Sequence, residues 1–251
     1  MDNESGVMAA FVRNVENIAK AKGVNFWHYP TGGQDRKLLG DTIFTNSTTY
    51  SLVEFKDTIH KASSEVHKKD RVLAVCEAVF SNKIMCQLHD QCHFIAGDDL
   101  KTSEQVLFIY RHAVCNREVF AETAEAHLPY LSSNINESGR IYLDEYASDI
   151  FSSTPAYALS VTEFGKYLKV LVDATTGGRK GIEVCLVASD VNDQNRCISI
   201  RFDDVLDLHK WALTKLYKTP SLSQQGRKSK AKPTNKIRLS SSNDFDDGPS
   251  S

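Results

Sequence analysis

Apolar and polar positions alternate in several distinct rhythms along this chain. From Val7 to Lys22 the apolar residues Met8, Phe11, Val12, Val15 and Ile18 recur at helical spacing, and Gly23 supplies a stop. The spacing therefore predicts a helix over 7–22. A polar, glycine-rich stretch, PTGGQDRKLLG, follows as a loop. Residues 41–45 (DTIFT) and 50–56 (YSLVEFK) are short β-rich runs around the polar turn NSTT, with Phe26–Tyr29 as a candidate strand before them. Ser63 or Ser64 is placed to cap a helix with Val66, Leu73, Cys76 and Phe80 on its inner face. Strands are expected at 93–96 and 106–110, and a helix at 117–127. Beyond these come a strand near 157–161, a helix over 162–174, strands at 182–188 and 197–202, and a helix at about 204–217. This mixture reads as α/β or α+β.

The register of the hairpin changes the picture from fold to chemistry. If the two runs pair around the turn at 46–49, Thr45 faces Tyr50, Ile43 faces Leu52 and Asp41 faces Glu54. Opposed side chains in such a ladder lie about 5 Å apart on one face. Lys56, two residues beyond Glu54, points to that same face. Two carboxylates and an amine then stand at the open end of an apolar patch. Opposed acids in a sheet repel each other, and a hard divalent cation relieves that repulsion.

In these residues the chain resembles the PD-(D/E)xK, or restriction-endonuclease-like, nucleases: Asp41 matches the acid of the first strand and Glu54-Phe55-Lys56 the Glu-x-Lys of the next. Gly40 stands where that family has proline. The resemblance covers roughly residues 8–110. It implies an α-β-β-β-α-β core, Mg²⁺ or Mn²⁺ held by Asp41 and Glu54, a water oriented by Lys56, and a further acid from the first helix, for which Glu16 is the candidate. The implied reaction is hydrolysis of DNA phosphodiester bonds, in restriction, antiviral defence or repair, by a homodimer or with a partner protein. The alternative is a nuclease-like or unrelated α/β binding subunit of a larger assembly.

Three parts are expected: a nuclease-like core over 1–128, a smaller α/β unit over 129–218 for substrate binding, dimerisation or docking, and a disordered tail over 219–251. Formal net charge is −2, from 30 basic and 32 acidic residues. Seven basic residues lie between Lys218 and Arg238 and three acids follow, leaving 23 basic and 29 acidic residues, a charge of −6, in 1–217. The basic tail suits counterion-releasing contact with nucleic acid, or serves only solubility. The longest apolar runs, such as VLAVCEAVF at 72–80, fall far short of the roughly 20 residues of a membrane span. Six cysteines are too sparse for a stapled secreted scaffold and read as reduced thiols of a cytoplasmic protein, Cys76 and Cys115 among the core.

Other groups carry two readings each. Gln34, Asp35, Arg36 and Lys37 form a substrate-contacting or merely solvated loop. Lys61, His67, Lys68, Lys69 and Arg71 form a phosphate-facing or solvated helix face. Cys86, His89, Cys92 and His93 hold zinc-type ligands at an unsuitable spacing, better read as buried cysteines with a surface histidine. Asp98 and Asp99 suit a turn better than a metal, and the glycines at 177–181 suit a helix stop.

Overall fold

The computed structural model describes residues 3–24, 26–31, 42–46, 48–120, 128, 131–176, 184–190, 193–202, 207 and 210, the segment 184–202 by its backbone alone. The chain opens with α1 (Glu4–Lys22), which ends where Gly23 adopts the left-handed conformation and its N–H returns to the Lys20 carbonyl. Then come β1 (Trp27–Pro30), β2 (Thr42–Thr45) and β3 (Thr49–Thr58). A 3-10 stretch (Ile59–Lys68) leads into α2 (Lys69–Ser81) and α3 (Lys83–Cys92), followed by β4 (His93–Asp99) and β5 (Glu104–Ile109). The short helices α4 (Tyr110–Val114) and α5 (Arg117–Phe120) precede β6 (Arg140–Tyr142) and α6 (Leu143–Asp149). β7 (Leu159–Ser160), α7 (Val161–Thr176) and the hairpin β8 (Val184–Asp190)–β9 (Asp193–Phe202) complete the described elements.

β1 to β6 lie side by side in sequence order, and β7 pairs with the start of β3. All neighbours are antiparallel except β3 and β4, which run parallel because the connection between them crosses over through helices. The sheet is therefore mixed, and both faces are covered. On one face Ile43, Tyr50, Leu52, Ile95, Val106 and Phe108 pack with α2, α3 and α7. On the other, Phe44, Val53, Phe55, Phe94 and Leu107 pack with α1 and α6. There Phe11 of α1 meets Phe55 edge-on at 5.2 Å and Phe44 at 5.6 Å. Residues 140–176 thus add β6, α6, β7 and α7 to the sheet and cores built by the first half.

Several expectations change here. No helix begins at Ser63 or Ser64: the segment is 3-10, α2 starts at Lys69, and Val66 and Phe80 are exposed while Val72, Val75, Cys76 and Val79 face inward. α3 is a helix that the apolar pattern did not announce, capped by Asn82, whose side chain accepts from the N–H groups of Ile84 and Met85. Its inner face is Met85, His89 and Cys92, so a histidine takes a core position and hides the period. Cys76 of α2 and Cys115, just past α4, are not free thiols: their Cα atoms lie 6.0 Å apart and they form a disulfide across 39 residues. Cys86 and Cys92 are free. No helix among the described residues is long and apolar enough to cross a membrane.

Candidate active site at the bulge of β3

The hairpin register is the expected one where it is described: Thr45 faces Tyr50, Ile43 faces Leu52, and Thr42 faces Val53. Asp41 lies outside the described residues, as do Gln34, Asp35, Arg36, Lys37 and the glycines at 177–181. Glu54 and Lys56 share the face that carries Leu52 and Tyr50, one step further along β3. β3 lies inside the sheet, so both are buried, Glu54 at 1% and Lys56 at 5% exposure. Residues of these types are seldom buried without partners.

A break in the ladder aims Lys56. Phe55 pairs with Ala96, but the next pair is Thr58 with Asp98, so Lys56 and Asp57 stand against Gly97 alone. The bulged strand closes over that glycine: a Cβ there would sit 2.7 Å from the Ile59 nitrogen and 2.8 Å from the Thr58 carbonyl carbon. Glycine at 97 is thus what allows the bulge.

Around the bulge three elements deliver charge and a fourth delivers a hydroxyl. The Lys56 ammonium lies 2.8 Å from Glu65 of the 3-10 stretch, 3.4 Å from Glu54 and 3.8 Å from Glu4 in the first turn of α1. Lys68 donates to Glu54 at 2.5 Å and lies 3.2 Å from Glu65. The Tyr110 hydroxyl, at the start of α4, donates to the other oxygen of Glu65 at 3.0 Å. Burial alone would lower the Lys56 pKa, but Glu54, Glu65 and Glu4 outweigh it and raise it. Burial alone would raise Glu65, but Lys56, Lys68 and Arg71 bring it down to about 2. At neutral pH Lys56 is an ammonium and Glu65 a carboxylate. Lys56 therefore cannot serve as a base; it can orient a water and stabilise negative charge. Glu4 and Lys68 are partly exposed and form the mouth of the cluster.

Glu16 is not part of it. That residue sits 12 positions after Glu4, roughly 18 Å further along the helix axis. Its side chain is half exposed and lies 3.8 Å from His28. The acid that α1 brings to Lys56 is Glu4, and Glu65, Lys68 and Tyr110 join from segments without a motif. Of the basic group in the post-motif segment, Lys68 and Arg71 turn inward and Lys61 pairs with Asp57 at 2.6 Å.

A second buried polar cluster lies behind. His89 and His93 are both fully buried, so neither is a surface histidine. The Arg111 N–H donates to His89 Nε2, so its Nδ1–H donates to the Tyr167 hydroxyl at 2.8 Å, and that hydroxyl donates to His93 Nδ1 at 2.6 Å. Burial holds His89 down at about 3 and, with His89 and Arg71, depresses His93 well below its usual value. His93 stacks on Tyr110, ring centroids 4.2 Å apart. These histidines are both tied to a tyrosine. Asp99 accepts from the Lys101 N–H and pairs with Arg140 at 2.7 Å, the turn role expected of it.

The acids near Lys56 are all carboxylates, the hard oxygen donors that suit Mg²⁺ or Mn²⁺. Among the described residues no group of three or more His, Cys, Asp or Glu side chains is arranged to hold a metal ion. No family model, curated protein or solved structure matches this chain.

Proposed function

We propose that this protein is a metal-dependent nuclease that hydrolyses DNA phosphodiester bonds. The observation that carries the reading is the meeting of Glu54 and Lys56, the two described residues of the motif, 3.4 Å apart inside the core. Burying ions costs several kcal/mol each. A fold that needed only stability would fill these positions with apolar side chains. The element order lends support: a helix, three antiparallel strands, helices, and a fourth strand parallel to the third. That is the order the restriction-endonuclease-like resemblance implies.

In this reading Glu54, together with Asp41, would hold Mg²⁺ or Mn²⁺, which polarises the phosphate and acidifies a bound water. Lys56, kept protonated by its carboxylate neighbours, orients that water and stabilises charge on the phosphate. Glu4 completes the acidic rim from α1. The second reading, a binding subunit without activity, draws on the closure of the cluster, since Glu54 and Glu65 each already face two lysines.

The test is cleavage of supercoiled plasmid, linear duplex and single-stranded DNA with Mg²⁺, Mn²⁺ or EDTA, beside Lys56→Ala. Metal-dependent nicking that Lys56→Ala abolishes is the expected result. Absence of cutting in every metal would leave the binding subunit, and cutting that survives the substitution would remove Lys56 from the reaction.

A further inference from the structure

Arg71, in the first turn of α2, is 9% exposed, and its Nε, Nη1 and Nη2 have no hydrogen-bond partner among the described residues. A guanidinium is always charged, and a buried charge without an acceptor is costly. Its charge acts on Glu65, one of the causes that keep that carboxyl low. Of the charged groups in the cluster, Lys56, Arg71, Glu54 and Glu65 are buried, while Lys68 and Glu4 are partly exposed. Glu4, 3.8 Å from Lys56 and partly exposed, belongs to the mouth. If the lysines served only to neutralise Glu54 and Glu65, Arg71 would be superfluous and its burial a net cost. It is accounted for if the lysines turn toward another anion and leave Glu65 to Arg71.

Glu65 is built to stay in place meanwhile. It is fully buried, and one oxygen is held by Tyr110 while the other meets Lys56 and Lys68. Tyr110 is itself held by the stacked His93. We propose that Lys56 and Lys68 are the pair that contacts the substrate phosphate, and that Glu65, anchored by Tyr110 and backed by Arg71, is the positioning residue that presents both ammonium groups to it. The proposal rests on the nuclease reading for its substrate, a phosphodiester of the nucleic-acid backbone. It goes beyond that reading by assigning Lys68, Glu65, Tyr110 and Arg71, none of which the motif contains.

The experiment has two arms on the full chain. In the first, cleavage kinetics and binding of duplex DNA in EDTA at several salt concentrations are measured for wild type, Lys68→Ala, Glu65→Gln and Tyr110→Phe. Lys68→Ala should weaken DNA binding and reduce the slope of log affinity against log salt by about 1, one phosphate contact. Glu65→Gln and Tyr110→Phe should lower kcat by about tenfold to a hundredfold with KM nearly unchanged, the mark of misplaced rather than missing groups. In the second arm, the side-chain nitrogen resonances of Lys56 and Lys68 are followed by NMR, without substrate. Both should be resolved and slowly exchanging in wild type, and lose that protection in Glu65→Gln. Folded Glu65→Gln and Tyr110→Phe proteins with wild-type kcat, an unchanged salt slope in Lys68→Ala, or lysine resonances that ignore Glu65→Gln would overturn the proposal. Wild type that cuts nothing while Glu65→Gln still releases the lysine resonances would remove the nuclease reading and retain the positioning. If Glu65→Gln does not fold, Tyr110→Phe, which removes one hydroxyl, carries both arms.

Discussion

Two buried polar clusters share one side of the sheet, and Tyr110 touches both: its hydroxyl donates to Glu65 and its ring stacks on His93. The first, Glu54–Lys56–Glu65–Lys68, is charged throughout, gathers β3, the 3-10 stretch and α1, and reaches the surface through Lys68 and Glu4. The second, His89–Tyr167–His93, is neutral, joins α3, α7 and β4, and is fully buried. In the neutral set both His89 nitrogens, the Tyr167 hydroxyl and His93 Nδ1 are spent on one another and on the Arg111 N–H, while His93 Nε2 has no partner among the described residues. The charged set keeps its ions in spite of the cost of burying them, which is the ground on which it is the candidate site. Burial and hydrogen bonding alone do not separate the two; ionisation and access do.

The largest effect expected comes from Lys56→Met. Removing the ammonium takes a cation from both Glu54 and Glu65, so stability should fall by about 3–5 kcal/mol in denaturant unfolding, and cleavage should vanish. Unchanged stability would break the comparison from the charged side. Next is Gly97→Ala, whose methyl group meets backbone 2.7 Å away: a loss of about 1–3 kcal/mol and a drop in kcat are expected as Lys56 shifts, measured by unfolding and cleavage together. Tyr167→Phe should cost a similar or smaller amount, about 1–3 kcal/mol, since it strands His89 Nδ1 and His93 Nδ1, yet leave kcat unaltered. A cleavage defect there would make the neutral cluster part of the machinery.

Acid separates the clusters by pH. His89 and His93 have folded values depressed below the ordinary 6.5, so the unfolded chain binds more protons below that value. Their stabilisation is complete above about 6.5 and declines as pH falls toward about 3, by up to about 1.4 kcal/mol per pH unit for each histidine. His28 and His112, also lowered by burial, add to this limb. Glu65, lowered from 4.5 to about 2, contributes fully above 4.5 and loses its contribution only between 4.5 and 2. Unfolding free energy against pH should therefore bend twice, and His93→Asn should flatten the first bend and spare the second. The smallest effect is expected at Glu16: Glu16→Gln should leave cleavage at its wild-type rate, whereas Glu4→Gln should lower it.

Local pattern carried much of this fold. The period of Phe11, Val12 and Val15 and the stop at Gly23 define α1 within a few residues, and the alternation in 42–56 sets the register of β2 on β3. That register also puts Glu54 and Lys56 on one face, since a strand repeats every two residues. α3 escapes the apolar pattern because His89 occupies an apolar position in its stripe, and that histidine reads as a surface residue instead. Glu65 escaped notice because it lies in a 3-10 stretch where a helix beginning at Ser63 was expected, and Lys68, read there as phosphate-facing or solvated, instead meets Glu65 three residues back.

The sequence by itself determined the local periods, the helix stop, the hairpin and the pairing of an acid with a lysine two residues on. These depend on backbone sterics and neighbouring side chains, which a window of residues contains. Tertiary structure alone decided that α1 offers Glu4 rather than Glu16, that Glu65, Lys68 and Tyr110 close around Lys56, and that Cys76 meets Cys115. Those choices depend on how helices pack across the sheet and on a bulge opposite Gly97. Contacts between segments tens of residues apart leave no period to read.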